Sequence, residues 1–203
     1  MNRLSYYNPL KRYDTKEHIE FLNTILQHYN SACFIGDELG YFFSPFRNVN
    51  NLSLVFKKTI TFNFFTLLKQ NPIILKQQLK MYHSLLNYNL IEYFEKQMYV
   101  EKNPVVGAFM LMCLTNLSDN FDFNLSNYSE KNIPLVEDAI NKIDSYYMGD
   151  AKIYKTKIPD SGLIISYKQD FNDREGILIT DCKKDYNLIN EIGDLKYYFV
   201  EEK

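Results

Sequence analysis

The chain has 203 residues, of which 46% are hydrophobic, and a formal net charge of −2 at pH 7. This length and composition predict one globular domain with a sizeable core, and the charge excludes a global basic field that would hold nucleic acid non-specifically. The three cysteines, Cys33, Cys113 and Cys182, lack the spacing of a disulfide framework or a zinc site, so we expect reduced, buried thiols in a cytoplasmic protein.

The first part of the chain predicts a helix followed by strands. Asp14, with Glu17 three residues later, has the pattern of a helix N-cap, and apolar residues recur behind it at helical spacing. Residues 33–35 have the composition of a short buried strand. Residues 54–56 and 59–62 are predicted as two further strand segments because they are rich in β-branched and aromatic residues.

Helices are predicted for the middle of the chain. One covers residues 64–70, and a second begins at Pro72, which suits the first turn of a helix. The segment 105–117 is apolar on all sides, which predicts a helix at the centre of the core. Its apolar run is too short to span a bilayer, so no membrane association is expected.

Strands are predicted again towards the C-terminus. They lie at residues 152–157, 162–167, 176–180 and 197–200, with short helical or turn pieces between them. This alternation favours a parallel or mixed sheet and an α/β fold.

No metal site is predicted. The acidic residues near the last strands are Asp170, Asp173, Glu175 and Asp181. They suggest a metal-dependent nuclease but fit a solvated face better, and only Asp181 directly follows a strand. His18 and His28 are expected at the surface or half-buried, and His83 is expected to be packed or at the surface, rather than as metal ligands or a base.

Four stretches, taken in order, resemble motifs of the Dam-type DNA adenine-N6 methyltransferases. FIGDELGYFF is similar to the cofactor strand and glycine loop of that family, and ITFNFFTLLKQNPIILKQQL to its second strand and the next helix. GAFMLMCLTNLSDNF is similar to the apolar helix before the target-contacting loop, and FNLSNYSEKNIPLVEDAINKI to the segment and helix that follow that loop.

The resemblance implies a Rossmann-like S-adenosylmethionine-dependent methyltransferase core. It implies a single domain over residues 1–203, with a helical insert for target recognition at about 64–132. The cofactor would be S-adenosylmethionine, if its pocket persists. The residues that the resemblance assigns to that pocket are Phe34, Gly36, Asp37 and Gly40.

The chain departs from the family at the positions that carry chemistry. The Asp-Pro-Pro-Tyr tetrad, which in the family holds the flipped adenine and its amino group, is absent. Its position is occupied by Ser166, Tyr167, Lys168 and Gln169. The acidic residue that binds the cofactor ribose at the end of the second strand is expected to be replaced within residues 61–63. No catalytic residue is therefore assigned.

These departures favour a catalytically degenerate methyltransferase-like protein that binds DNA or a protein partner. One alternative is an active but divergent DNA adenine-N6 methyltransferase of the kind found in restriction–modification. Another is an unrelated α/β interaction protein, which would form a hetero- or homo-oligomer. If duplex DNA binds, the predicted phosphate contacts are Lys11, Arg12, Arg47, Lys57 and Lys58.

Overall fold

The computed structural model describes residues 15–35, 51–84, 103–117, 133–145, 150–160, 162–167 and 174–201. The helices are α1 (Thr15–Leu26), α2 (Thr59–Gln70), α3 (Pro72–His83), α4 (Pro104–Leu117) and α5 (Ile133–Lys142), the last followed by a 3-10 turn at Ile143–Ser145. The strands are β1 (Ser31–Ile35), β2 (Asn51–Phe56), β3 (Lys152–Lys155), β4 (Leu163–Tyr167), β5 (Gly176–Thr180), β6 (Asn187–Ile192) and β7 (Leu195–Val200). In these ranges every helix is too short or too polar to cross a bilayer.

Within the described residues, seven strands form one sheet in the order β3-β2-β1-β4-β5-β7-β6. The strands from β3 to β5 are parallel, whereas β7 is antiparallel to both β5 and β6. β1 lies near the centre, where Ala32 is in register with Leu52 of β2 and Leu163 of β4. The predicted α/β class with a parallel or mixed sheet is confirmed, and the sheet is mostly parallel.

The two faces of the sheet have separate buried clusters. Because side chains of a strand alternate between faces, Ala32 and Phe34 of β1 join one cluster, and Cys33 and Ile35 join the other. All five described helices contribute buried side chains to the first cluster. In the second cluster, by contrast, the partly buried residue outside the strands is Ile158, as far as the described residues show.

The connection from β3 to β4 is unusually short. Parallel strands are ordinarily joined through a dozen or more residues, usually in a helix, but residues 156–162 alone separate these two strands. The connections from β1 to β2 and from β2 to β3 run in one direction across the sheet, and the connection from β3 to β4 runs back in the other direction. A right-handed connection must therefore cross the face of the sheet that carries the second cluster. The packing of Ile158 into the second cluster agrees with that path.

α1 packs against β7, an antiparallel strand of the sheet, through a buried polar pair. His18 is 2% exposed, Tyr197 of β7 is fully buried, and a hydrogen bond joins His18 Nδ1 to the Tyr197 hydroxyl. Phe21 packs edge-on against the Tyr197 ring with 4.9 Å between centroids. The expectation of a surface or half-buried His18 is wrong, because a polar ring can be fully buried when its nitrogen is bonded.

The predicted strand at residues 59–62 is also wrong, since these residues form the first turn of α2. The buried side chains Thr61, Phe64, Phe65 and Leu68 recur at three- and four-residue intervals, which is the spacing of a helix face. Phe65 stacks on Phe56 of β2 with ring centroids 4.8 Å apart. This packing outweighs the strand propensity of Thr-Ile-Thr-Phe.

β6 was not predicted from the sequence. Its residues show no apolar alternation, and its side chains are exposed except for the half-buried Asn190 and the buried Ile192, because the strand lies at the edge of the sheet. Its pairing with β7 is irregular between Leu188 and Asn190, which is the signature of a bulge.

The cysteines differ in exposure. Cys33 and Cys113 are buried as expected, but Cys182 is exposed, which corrects the expectation for that residue. Burial raises the pKa of Cys33 to about 12, and burial also raises the pKa of Cys113 well above its ordinary value.

We expect one thiol to react in the native protein and three in the unfolded protein. A thiolate is the reactive form, and it is disfavoured at the two buried positions. Titration with a chromogenic disulfide reagent, with and without urea, measures both numbers. The variant Cys182→Ser should leave no fast-reacting thiol, and a remaining fast phase would contradict the assignment.

Candidate functional site

The carboxyl ends of the parallel strands define the edge at which an α/β sheet ordinarily binds its ligand. β1 is paired with β2 on one side and with β4 on the other, so the topological switch lies between β1 and β4. Phe34, a predicted cofactor contact, is in β1 with its side chain fully buried in the first cluster. The other predicted cofactor contacts, Gly36, Asp37 and Gly40, lie outside the described residues.

Two lysines follow β2 at this edge. The strand ends at Phe56, and the exposed residues Lys57 and Lys58 lead directly into α2. Residues 61–63, where the sequence placed the end of the second strand, are inside α2, and that placement is wrong. A carboxylate that binds ribose hydroxyls would have to stand at the end of β2, where the chain has two cations instead.

The end of β3 adds two more lysines beside the first pair. Lys155 is in register with Phe56, and the backbone N–H of Thr156 donates to the Phe56 carbonyl at 3.2 Å. Lys155 and Lys157 are exposed. Among the described residues, no carboxylate forms an ion pair with Lys57, Lys155 or Lys157. We call Lys57, Lys58, Lys155 and Lys157 the basic edge.

Thr156, between Lys155 and Lys157, has a φ of 65°. A β-branched residue in the left-handed region is a strained outlier, and such residues cluster at functional sites. Its hydroxyl donates to the Lys155 carbonyl at 2.6 Å, which helps to hold the turn. Lys155 and Lys157 were not predicted as part of a site. The signal was available in the sequence KIYKTK, which has lysines where the strand ends.

The end of β4, which the resemblance assigns to the tetrad position, carries Ser166 and Tyr167. Ser166 is fully buried, is in register with Ile35, and its Oγ has no hydrogen-bond partner among the described residues. Tyr167 is the last residue of β4. The next two residues of the predicted motif position, Lys168 and Gln169, lie outside the described residues.

The acidic residues do not converge on a metal site. Glu175 precedes β5 and Asp181 follows it, so they lie at opposite edges of the sheet. Asp170 and Asp173 are outside the described ranges. Within those ranges no group of three potential ligands could hold a metal ion.

Of the predicted phosphate contacts, the structure describes Lys57 and Lys58, which are adjacent at the carboxyl edge. The remaining three, Lys11, Arg12 and Arg47, lie outside the described residues. Their part in a site stays a prediction.

A polar cleft of about 360 Å³ lies at the opposite, amino edge of the sheet. The Tyr29 hydroxyl donates to Glu175 Oε1 at 2.7 Å. The Arg174 guanidinium donates to the carbonyls of Pro159 at 2.6 Å and Gly162 at 3.1 Å. These bonds fix the short β3–β4 connection, so the cleft has a structural role.

Tyr29 should titrate late. Burial, followed by the hydrogen bond and charge of Glu175, raises the pKa of Tyr29 to about 12. The unfolded phenol ionises near pH 10, so this stabilisation is complete below pH 10 and is lost as the pH rises from about 10 to about 12. The difference in ultraviolet titration between the wild type and Tyr29→Phe isolates this residue.

The variant Glu175→Gln should lower the midpoint of the Tyr29 titration. It removes the negative charge but keeps an acceptor, so part of the shift caused by burial should remain. An unchanged midpoint would show that the carboxylate does not act on the phenol.

No protein-family description matches the chain, and no curated protein matches it.

Proposed function

We propose that this chain is a methyltransferase-like protein that has lost methyl transfer and that binds duplex DNA at the carboxyl edge of its sheet. The observation that supports the relationship to methyltransferases is the strand order β3-β2-β1-β4-β5-β7-β6, in which β7 is antiparallel to its neighbours. The first five strands follow the 3-2-1-4-5 order of a dinucleotide-binding sheet. The antiparallel pair β6 and β7 agrees with the last strand hairpin of the family that the motifs resemble.

The side chains at two strand ends support the loss of catalysis. Adenine methylation requires a group that accepts a hydrogen bond from the amino nitrogen while positive charge develops on it. A carboxylate accepts this bond and also offsets the charge, whereas the hydroxyl of the fully buried Ser166 can accept the bond but carries no charge. The lysine pair after β2 is equally unsuited to the ribose hydroxyls. At the end of β2 the described residues therefore do not fit the ribose of S-adenosylmethionine, and we derive no step through that cofactor.

The basic edge supports the binding of a polyanion. The whole chain has a net charge of −2, so general attraction to DNA is absent and a local cluster of cations must supply it. Exposed lysines from two adjacent strands suit a backbone-contacting surface, since phosphate contacts require no base-specific geometry. Each phosphate neutralised contributes about −0.9 to the slope of log K against log salt.

Two assays on the full chain test the proposal. Incubation with methyl-labelled S-adenosylmethionine and duplex DNA should leave no label on adenine. Fluorescence anisotropy with a labelled duplex should show affinity that falls with salt. The variant Lys155→Glu should reduce the magnitude of the slope of log K against log salt by about one unit. The variant Lys152→Glu, at an exposed lysine on the other end of β3, should leave that slope unchanged. Labelled adenine or equal slopes for the two variants would overturn the proposal.

An interaction protein is the second candidate, and exposed apolar side chains on the edge strand favour it. Tyr186, Leu188 and Ile189, at and before the bulge in β6, are 45%, 46% and 39% exposed. An unpaired edge with apolar side chains is a surface that other chains pair with. Size-exclusion chromatography with light scattering, with and without duplex DNA, separates the candidates: a stable oligomer that ignores DNA would favour the second.

A further inference from the structure

The amino terminus of α2 lies at the basic edge with its amide groups uncapped. Lys58 is in the N-cap position with an extended backbone, and its side chain makes no capping bond. The first intrahelical bond runs from the N–H of Phe62 to the carbonyl of Lys58 at 3.1 Å. The N–H groups of residues 59–61 therefore have no acceptor within the helix. The first turn also contains no acidic residue.

A buried hydroxyl without a partner lies in the same turn. Thr61 is fully buried, and its Oγ1 makes no hydrogen bond within the described part of the chain. Thr61 begins the buried face of α2 that continues through Phe64 and Phe65, so its side chain lies between the helix and the sheet. Of that face it is the residue nearest to the carboxyl end of β2. A buried polar atom without a partner requires an explanation, and a ligand bound at this turn would supply one.

Within the described part of the chain, the charged groups beside this turn are cations. Lys57 and Lys58 precede it. The bond from Thr156 N–H to the Phe56 carbonyl places Lys155 and Lys157 beside them. Free amides, a donor hydroxyl and lysines together offer hydrogen-bond donors and positive charge. The positive end of the helix dipole adds to them, and this combination binds phosphate groups in many proteins.

We infer that the first turn of α2 binds a phosphate group. The amides of residues 59–61 and the hydroxyl of Thr61 donate to its oxygens, and Lys57 balances its charge. The inference rests on the proposed function only for the carrier of the phosphate, a DNA backbone, because the donors themselves act on any phosphate. It assigns defined hydrogen-bond donors to one contact of an otherwise diffuse basic edge.

Inorganic phosphate is the probe for the first experiment. Thermal unfolding of the full chain, at constant ionic strength, should show a midpoint that rises with phosphate concentration. The variant Thr61→Val keeps the shape of the side chain but removes the hydroxyl. It should raise the midpoint without phosphate, because the unpartnered atom is gone, and should weaken phosphate binding by about tenfold. Thr61→Ser, which keeps the hydroxyl, should bind as the wild type does.

A lysine pair provides the matched control, and it keeps the inference testable if Thr61→Val folds poorly. Lys57→Gln should weaken phosphate binding, whereas Lys152→Gln, at the amino end of β3, should not. Equal phosphate binding by Thr61→Val and the wild type, or equal losses for the two lysine variants, would overturn the inference.

Duplex DNA separates a failure of the inference from a failure of the proposed function. If phosphate binds through Thr61 but a duplex does not bind, the inference stands and the proposed function falls. If a duplex binds to Thr61→Val with the affinity and salt slope of the wild type, the proposed function stands and the inference falls.

Discussion

The variant Gly162→Ala is expected to lose about 3 kcal/mol or more of unfolding free energy. Gly162 has a φ of +95°, and a Cβ built there would lie 2.7 Å from Ser31 Oγ and 2.8 Å from the carbonyl carbon and oxygen of the same residue. Ser31 starts β1, an interior strand, which is paired on both sides and cannot move away without loss of its ladders. Urea unfolding followed by circular dichroism measures the change.

Gly193→Ala is the matched control for this prediction. Gly193 also has a positive φ, of 58°, but a Cβ there would meet no atom within 4 Å. It should cost only the conformational penalty of an alanine in the left-handed region, about 1 kcal/mol. Equal losses in the two variants would show that the contact with Ser31 carries no energy.

The variant Phe65→Ala is expected to lose about 3–5 kcal/mol. The Phe65 ring is fully buried, stacks on Phe56 at 4.8 Å and meets Phe64 edge-on at 5.0 Å. Its removal leaves a cavity between α2 and β2 that neither element can close. Because a domain of this kind has an unfolding free energy of roughly 5–15 kcal/mol, a loss of this size would unfold a large share of the molecules at physiological temperature.

Phe62→Ala on the same helix is the control. Phe62 is only partly buried against the first cluster, so its truncation should cost less than about 2 kcal/mol. Chemical unfolding of the two variants under one set of conditions gives the comparison. A loss at Phe62 as large as that at Phe65 would mean that α2 is held by its outer face as well.

The interior strands could be predicted from sequence because they are buried on both faces, and the edge strand β3 was predicted as well, at residues 152–157. Residues 33–35 and 176–180 are short, mostly apolar runs, because parallel strands in the middle of a sheet have no solvated side. β6 could not be found in this way, since its side chains are mostly exposed and show no apolar alternation. The first turn of α2 was misread because its β-branched residues have the local preference of a strand, and only the packing of α2 on β2 through Phe65 reverses that preference.

The candidate site was predicted in part. The pair Lys57 and Lys58 was predicted as phosphate contacts, as two consecutive cations between predicted strand segments. Lys155 and Lys157 were not found, because their proximity to the first pair comes from the pairing of β2 with β3, about 100 residues apart in the chain. The free hydroxyl of Thr61 could not be predicted, since burial without a partner is visible only in three dimensions.

The wide spacing of β1 and β4 in the chain has a consequence for synthesis on the ribosome. β4 follows β1 by roughly 130 residues, so at about 5–20 residues per second the apolar edge of β1 waits roughly 6–26 seconds for its partner. During that time the nascent chain presents an open, aggregation-prone template. Its yield in cells should therefore depend on chaperone supply, and translational pausing before β4 should lower it.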